Sequence, residues 1–514
     1  MLLIATAIPA VTSVKNCAIT AQIPNTIQAS LGGSWIEEQK LLASDGAAGD
    51  NFGGIVSVDS DTALIGAWYD DDNGADSGSA YVLTRTGTTW TQQAKLLASD
   101  GAAGDWFGYS VALSGDTALV GAVANDDNGN DSGSAYVFTR SGTTWTQQAK
   151  LLASDAAAGD QFGFMVAISG DTALVGANWD DDNGDKSGSV YVFTRTGTTW
   201  TQQQKLLASD GQAGDRFSLC FLDGDTALIG AFYDDDNGVD SGSAYIFTRS
   251  GTTFTQQAKL LPSDGAAGDN FGFSAFLDGD TAIIGAYMDD DMGSNSGSAY
   301  VFTRTGTTWT QQAKLLASDG AAGDNFGGYG LGFSGDTALI GALGDDDMGS
   351  NSGSVYVFTR TGTTWTQTQK IIALDGQAGD NFGYYTFLSG DTALIGAPND
   401  DDNGANSGSA YVFTKTGLNL TFSIGGGIGV NLKITNNGLV NATDVPWQIH
   451  VEGGILGKIN KTVNGTVNIP AGESVTVKTG MLFGFGAISI TAKVADEEQT
   501  ATGTQLIIFS MVKK

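Results

Sequence analysis

The sequence predicts an all-β protein: a seven-bladed β-propeller of four-stranded blades, closed by an N-terminal outer strand and followed by a small β-sandwich. Three observations predict it. The unit FGYSVALSGDTALVGAVANDDNGNDSGSAYVF, from Phe107 to Phe138, recurs seven times. Its leading phenylalanine stands at Phe52, Phe107, Phe162, Phe217, Phe271, Phe326 and Phe382, 54 to 56 residues apart. That period suits one four-stranded blade. Gly is abundant at 74 residues and Pro scarce at 6, and no amphipathic helical period occurs, so strands and turns account for the chain. Finally, each copy divides into four strand-like segments separated by turn residues, which makes the chain one ring rather than the several domains its 514 residues would suggest.

Residues 1–33 read as a leader and spacer. MLLIATAIPAVTSV is apolar, too short to span a bilayer, and has the character of a secretory h-region without the usual basic residues before it. Five Asn-X-Ser/Thr sequons (Asn130, Asn419, Asn441, Asn460 and Asn464) agree with export. No later segment is long enough to cross a membrane. Of the two cysteines, Cys17 lies in the leader. Cys220 replaces an apolar residue of the repeat and reads as a buried thiol.

Residues 34–417 form the ring. In each copy strand A (FGYSVALS) places small Gly108, Ser110 and Ala112 opposite Phe107, Tyr109, Val111 and Leu113. Strand B (DTALVGA) is apolar almost throughout, as a strand covered on both faces should be. Strand C (GSAYVFTR) alternates. Strand D (TTWTQQAKLLA) is polar and carries Lys40, Lys95, Lys150, Lys205, Lys259, Lys314 or Lys370 at one fixed place. The small-faced strand is expected at the hub and the lysine strand at the rim, where lysine discourages edge-to-edge pairing. The first D strand (SWIEEQKLLA, from Ser34) precedes the first A, and the last C has no D after it. Residues 34–43 are therefore expected to complete the last blade and close the ring.

In an up-and-down blade the SGD and TRTGTT turns emerge on one side, and the DDDNGADSG and SDGAAGD loops on the other. The chain carries 56 acidic against 24 basic residues, net −32. Only Glu37, Glu38, Glu452, Glu473, Glu497 and Glu498 are glutamate. Most of the aspartates fall on the second side, which is expected to form an acidic face broken only by Lys186 and Arg216. Nucleic acid is excluded as a partner, because phosphate binding needs the opposite sign. Two readings stay open for the crowded carboxylates: a solvated surface, or calcium held by some of the loops. An EF-hand-like loop needs oxygen ligands at positions 1, 3 and 5 and Gly at 6. Asn399, Asp401, Asn403 and Gly404 meet that spacing. Elsewhere position 1 is Tyr69, Trp179, Tyr233 or Ala124, so a site there would draw on Asp70, Asp72, Asp76, Asp180, Asp182, Asp234 or Asp236, with help from Asp45 or Asp50 of the neighbouring loop.

FG at the start of strand A, GA at the end of B (GAP at Gly396 to Pro398) and GSAYVF in C resemble FG-GAP repeats, which build the propeller of integrin α subunits and many microbial surface proteins. In that family the calcium motif lies between the FG and GAP strands. Here that place holds only SGD, too short for the site, so the family's metal site is missing from its usual position. What the resemblance implies is a ligand-binding role for the acidic face. Residues 418–514, with NNGLVNATDV and PAGES, resemble immunoglobulin-like, cell-adhesion-type β-sandwich modules of bacterial and archaeal surface proteins.

The ring has no histidine, since the only one is His450, and no glutamate between residues 39 and 451. Nucleophile systems lack the base they need, and near-identical repeats offer no special carboxylate pair. Trp106, Arg216 and Cys220 break the pattern most and read as substitution drift. The expectation is an exported, non-enzymatic adhesion or envelope protein that meets an extracellular protein or glycan at its acidic face. The alternative is a lectin with repeated sites, where Trp68, Tyr69, Trp179 and Tyr233 stack on sugar rings. A polysaccharide hydrolase or lyase would require one blade unlike the rest.

Overall fold

The structure is a computed structural model. It describes residues 34–416 and, beyond them, 420–425, 427–436, 442–454, 459–470, 472–482, 484–494, 497–507 and 509–512. The leader, Cys17 and the sequons at Asn419 and Asn441 lie outside the described residues. Two compact units are present, residues 35–415 and the segment from Thr416 onward.

The first unit contains seven antiparallel four-stranded sheets, and the expected A-B-C-D order holds in each. In the second blade the strands are Phe107–Ser114, Thr117–Ala122, Ser134–Ser141 and Thr144–Leu151. Closure is as expected: Ser34–Leu41 pairs with Ser409–Thr416 and supplies the outer strand of the last blade. Gln369 fixes this strand to the preceding blade, accepting from the Trp35 amide and donating to its carbonyl, each at 2.8 Å.

The core lies between blades rather than within one. A single cluster joins Ile55, Leu64, Val82 and Leu96 of the first blade to Phe107, Val111, Tyr136 and Trp145 of the second. Two glycines set this spacing. Gly108 has φ +91, and a Cβ there would stand 2.2 Å from the Ser79 carbonyl oxygen of the previous blade. A Cβ on Gly66, the glycine of the first GA, would stand 2.1 Å from the Gly108 carbonyl. The two glycines of the FG and GA pairs are here facing halves of one close backbone contact; in the fourth copy Ser218 takes the FG place, and its carbonyl still faces Gly176.

Strand A departs from simple alternation. The register slips between Phe107 and Ser110, where Phe107 pairs with Ala122 and Ser110 with Gly121. This bulge turns Tyr109 away from the Phe107–Val111–Leu113 face and towards the ring axis. Cys220 is fully buried, as expected, and burial pushes its thiol up to about 12.

In the C-terminal unit, the described residues form a three-stranded sheet (Leu420–Gly425, Asn431–Asn436, Ser474–Lys478) and a six-stranded one. Both contribute to one core that includes Leu432, Ile434, Ile449 and Ile490, which makes the unit a β-sandwich. His450 bonds through Nδ1 to Thr462 on the adjacent strand at 2.8 Å.

Candidate functional site

The acidic face is built from two loops per blade, and the lysine of strand D organises both. The ammonium of Lys95 lies 2.9 Å from Asp45, 2.9 Å from Asp70 and 2.6 Å from Asp72. It also sits 5.1 Å from the Tyr81 ring centroid, and the Tyr81 hydroxyl is within 3.0 Å of both Asp45 and Asp70. Register explains the geometry: Tyr81 and Lys95 are paired on neighbouring strands. Asp70 and Asp72 come from the B–C loop and Asp45 from the loop entering the blade, so one ammonium ties the incoming connection to the outer strand. Lys205 gathers Asp155, Asp180 and Asp182, and Lys259 gathers Asp210, Asp234 and Asp236. Lys40 closes the pattern with Asp375, Asp400 and Asp402. The second blade differs, since Asn125 replaces the buried aspartate and leaves the Tyr136 hydroxyl without a partner.

These lysines revise two expectations. Their ammoniums do not guard an exposed edge but are largely covered, at 15–18% exposure in the side chain. The acidic face is therefore broken not only by Lys186 and Arg216 but also by seven inward-turned cations. Burial would depress Lys95, yet its bonds to Asp72, Asp45, Tyr81 and Asp70 outweigh that and hold it above its ordinary range. Burial likewise works to raise Asp45, but the Lys95 and Tyr81 bonds prevail and lower it.

The calcium candidates can be placed individually. Asp70, Asp72, Asp180, Asp182, Asp234 and Asp236 converge, but on lysine. Asp76 stands apart at φ +54, its amide donating to Asp71. Asn399 turns to Asn51 and Asn381, Asp401 accepts from the Asn406 amide, and Asn403 donates to the Ala43 carbonyl. Asn399, Asp401 and Asn403 thus share no common point. Among the described residues no group of three or more His, Cys, Asp or Glu is arranged to hold a metal ion. The donor set does not fit calcium, because the converging oxygens are already bonded to an ammonium.

At the centre of the same face the bulged strands open a blind cup of about 390 Å³. Trp68, Trp179 and Tyr233, three of the four aromatic candidates, line it. Tyr69 supports it from behind, edge-on to Trp68 and Trp106. Tyr109, Phe164, Phe273, Tyr329 and Tyr384 complete the wall, and Tyr329 and Tyr384 are stacked at 4.6 Å and 12°. Burial holds the phenols of Tyr109 and Tyr384 above their ordinary range, so they remain neutral hydroxyls. Met165, Phe221 and Tyr385 form the floor, since they also line the separate small cavity below. The only charged residue in the lining is Arg216, whose guanidinium lies 4.7 Å from the Tyr233 ring, 5.9 Å from Phe232 and 6.0 Å from Trp179.

A sequence model of the FG-GAP repeat matches residues 35–83, 90–138, 145–193, 200–247, 254–302, 309–358 and 365–413. The chain belongs to the FG-GAP repeat family. No relative is found among curated proteins. Among solved structures, Saccharomyces cerevisiae Sqt1 is similar at 10% identity, over 94% of this chain and 98% of that one, with a TM-score of 0.41, too low to bear on function.

Within this FG-GAP ring the residues that sequence reasoning missed are Tyr109, Phe164, Phe273 and Tyr384, just after FG, and Tyr329, one place further on in the sixth copy. A signal for them exists. Copies that agree almost everywhere else differ at this place, with Gly54, Tyr109, Phe164, Leu219 and Phe273 in succession. Arg216 and Trp106, read as drift, belong to the cup and its support.

Proposed function

We propose that this FG-GAP protein is a non-enzymatic binding protein, exported and displayed at the cell surface or envelope for adhesion. Its partner, an extracellular protein or glycan, is engaged at the acidic loop face through the axial cup. The observation that carries this reading is the cup itself. It is one concave, aromatic-walled space with few polar groups, which is how ligand sites are built, and it stands where the seven copies diverge. Its lining contains no carboxylate, histidine, cysteine or lysine, and burial holds the phenols of Tyr109 and Tyr384 neutral, so the lining offers no ready base. The C-terminal sandwich, read as an immunoglobulin-like module of microbial surface type, serves as spacer or attachment.

A lectin is the second reading, favoured by the density of indole and phenol rings. It takes the form of one axial site rather than one site per blade, because the acidic loops around the ring are closed on lysine.

The full chain coupled to beads tests both readings against arrays of matrix proteins and glycans. Retention of a partner by the wild type and its loss with Tyr329→Ala/Tyr384→Ala is expected. Equal retention by the variant, or release of reducing ends from a polysaccharide panel, overturns the proposal.

A further inference from the structure

We propose that the axial cup takes a carboxylate-bearing pyranose, a uronate-type sugar residue at the end of a glycan, with the ring against the aromatic wall and the carboxylate on Arg216. This rests on the axial cup being the binding site.

The first argument is a break in symmetry. Every strand-D lysine on the acidic face is bonded to aspartate. Among the described residues, Arg216 and Lys186 have no carboxylate within ion-pair distance. Both stand over the same ring, Lys186 at 4.5 Å and Arg216 at 6.0 Å from the Trp179 centroid. In a chain of net −32, two cations left unpaired side by side mark a place for an anion from outside. They also share a shallow recess between the third and fourth blades that opens beside the cup; Asp185 and Asp240 line it too, beyond ion-pair distance of either cation, so the anion's place is on the cup side of Arg216.

Guanidinium chemistry narrows the anion. The ring faces of Tyr233, Phe232 and Trp179 fix the Arg216 head, which leaves its N–H edge as the free recognition element. A planar fork of donors matches a carboxylate with two parallel hydrogen bonds. Lys186 adds a point charge at the rim.

The remainder of the lining selects the body of the ligand. Aromatic faces demand an apolar surface, and a pyranose has one on each side of its ring. The phenol hydroxyls of Tyr109, Tyr329 and Tyr384, with the amides of Asn178 and Gln161, place donors and acceptors around that apolar wall. A ring edged with hydroxyls pairs with them, whereas a plain aromatic acid would leave buried polar groups bare at a cost of about 1–3 kcal/mol each. The closed floor admits the end of a chain and not its middle.

Isothermal titration of the full chain with glucuronate and galacturonate, against glucose and galactose, tests the proposal. Arg216→Gln and Tyr384→Ala are run in parallel, with thermal melts to confirm folding. One site per chain is expected, with the uronate bound at least about tenfold more tightly than its neutral match, the scale of one charge-assisted hydrogen bond. Arg216→Gln should bring the uronate down to the neutral sugar, and Tyr384→Ala should remove both. Equal affinity for uronate and neutral sugar, unchanged by Arg216→Gln, overturns the acidic ligand and leaves the cup intact. Uronate binding that survives Tyr384→Ala sinks the cup, and with it the reading on which this inference rests. Absence of heat with all four sugars overturns the sugar assignment alone, since the bead assay reads the cup independently.

Discussion

The ammonium of Lys205 lies 2.7 Å from the buried carboxylate of Asp180, and two further aspartates, Asp155 at 3.0 Å and Asp182 at 2.7 Å, complete its surroundings. The three carboxylates are not equivalent. Asp155 and Asp182 have about half of their side chains in water, while Asp180 has 5%. Exposed partners contribute little to stability, so the energetic weight of the cluster falls on Lys205 and Asp180.

Lys205→Met should therefore cost about 3 kcal/mol, because it strands a buried charge without its counter-ion. Lys186→Met, on the same face but without a carboxylate partner, should change stability by less than about 0.5 kcal/mol. Urea unfolding of the two variants decides. Similar losses in both would mean that net charge, and not the cluster, sets the stability of this face.

Calcium should act on the variant and not on the parent. In the wild type the converging oxygens are bonded to lysine, so calcium should raise the melting temperature no more than sodium chloride at matched ionic strength. In Lys205→Met three carboxylates are released around an open position, and binding to the folded state alone should add a calcium-specific rise, reversed by chelator. A calcium-specific rise of the wild type would show that a cation site exists outside the lysine clusters.

Gly121→Ala should be among the most damaging small substitutions in the ring. Its Cβ would stand 2.1 Å from the Gly163 carbonyl of the next blade and 2.3 Å from the Ser110 hydroxyl, contacts that only a shift between blades relieves. A loss of about 3 kcal/mol is expected. Gly142→Ala is the control: it has φ +66 and open space around it, and should lose only about 1 kcal/mol to backbone strain. Equal losses would remove the inter-blade account of the GA glycine.

These cases show what was legible in the chain. Closure was, because Ser34–Leu41 repeats strand D where a C strand at the far end lacks one. The glycine contacts were only partly so, because GA recurs in all seven copies while Ser218 replaces the FG glycine in the fourth. The lysine clusters were only half legible. Lys95 and Asp70 are 25 residues apart, and their meeting depends on the register that sets Tyr81 opposite Lys95. Polarity alone made an edge lysine the simpler reading, and the help expected from Asp45 arrived around an ammonium instead of a metal. The cup was hidden for a different reason. Strict alternation assigns Tyr109 to the core, and only the bulge between Phe107 and Ser110 sends it to the axis.

Stability should peak at mildly acidic pH, because two sets of aspartates pull in opposite directions. The last aspartate of each SDGAAGD-type loop is buried and raised: Asp50, Asp105, Asp160, Asp215, Asp269, Asp324 and Asp380. Burial is the main cause, and at Asp215, pushed up to about 6, the nearby Asp234 adds to it. A carboxyl raised in the folded state favours folding below its unfolded value near 4, and that contribution is lost as pH climbs through the folded value. The first aspartates of the same loops, among them Asp45, Asp155, Asp210 and Asp375, are lowered by lysine, with burial opposing. Their contribution is present above about 4 and fails as pH falls further. The urea midpoint should accordingly rise as pH drops from 7 to about 5, then fall below about 4. Asp215→Asn, which keeps an acceptor for the Gln212 amide but carries no charge, should raise stability at pH 7 by about 2 kcal/mol and flatten part of that rise. A midpoint that climbs steadily from pH 5 to pH 8 in the wild type would contradict the raised set.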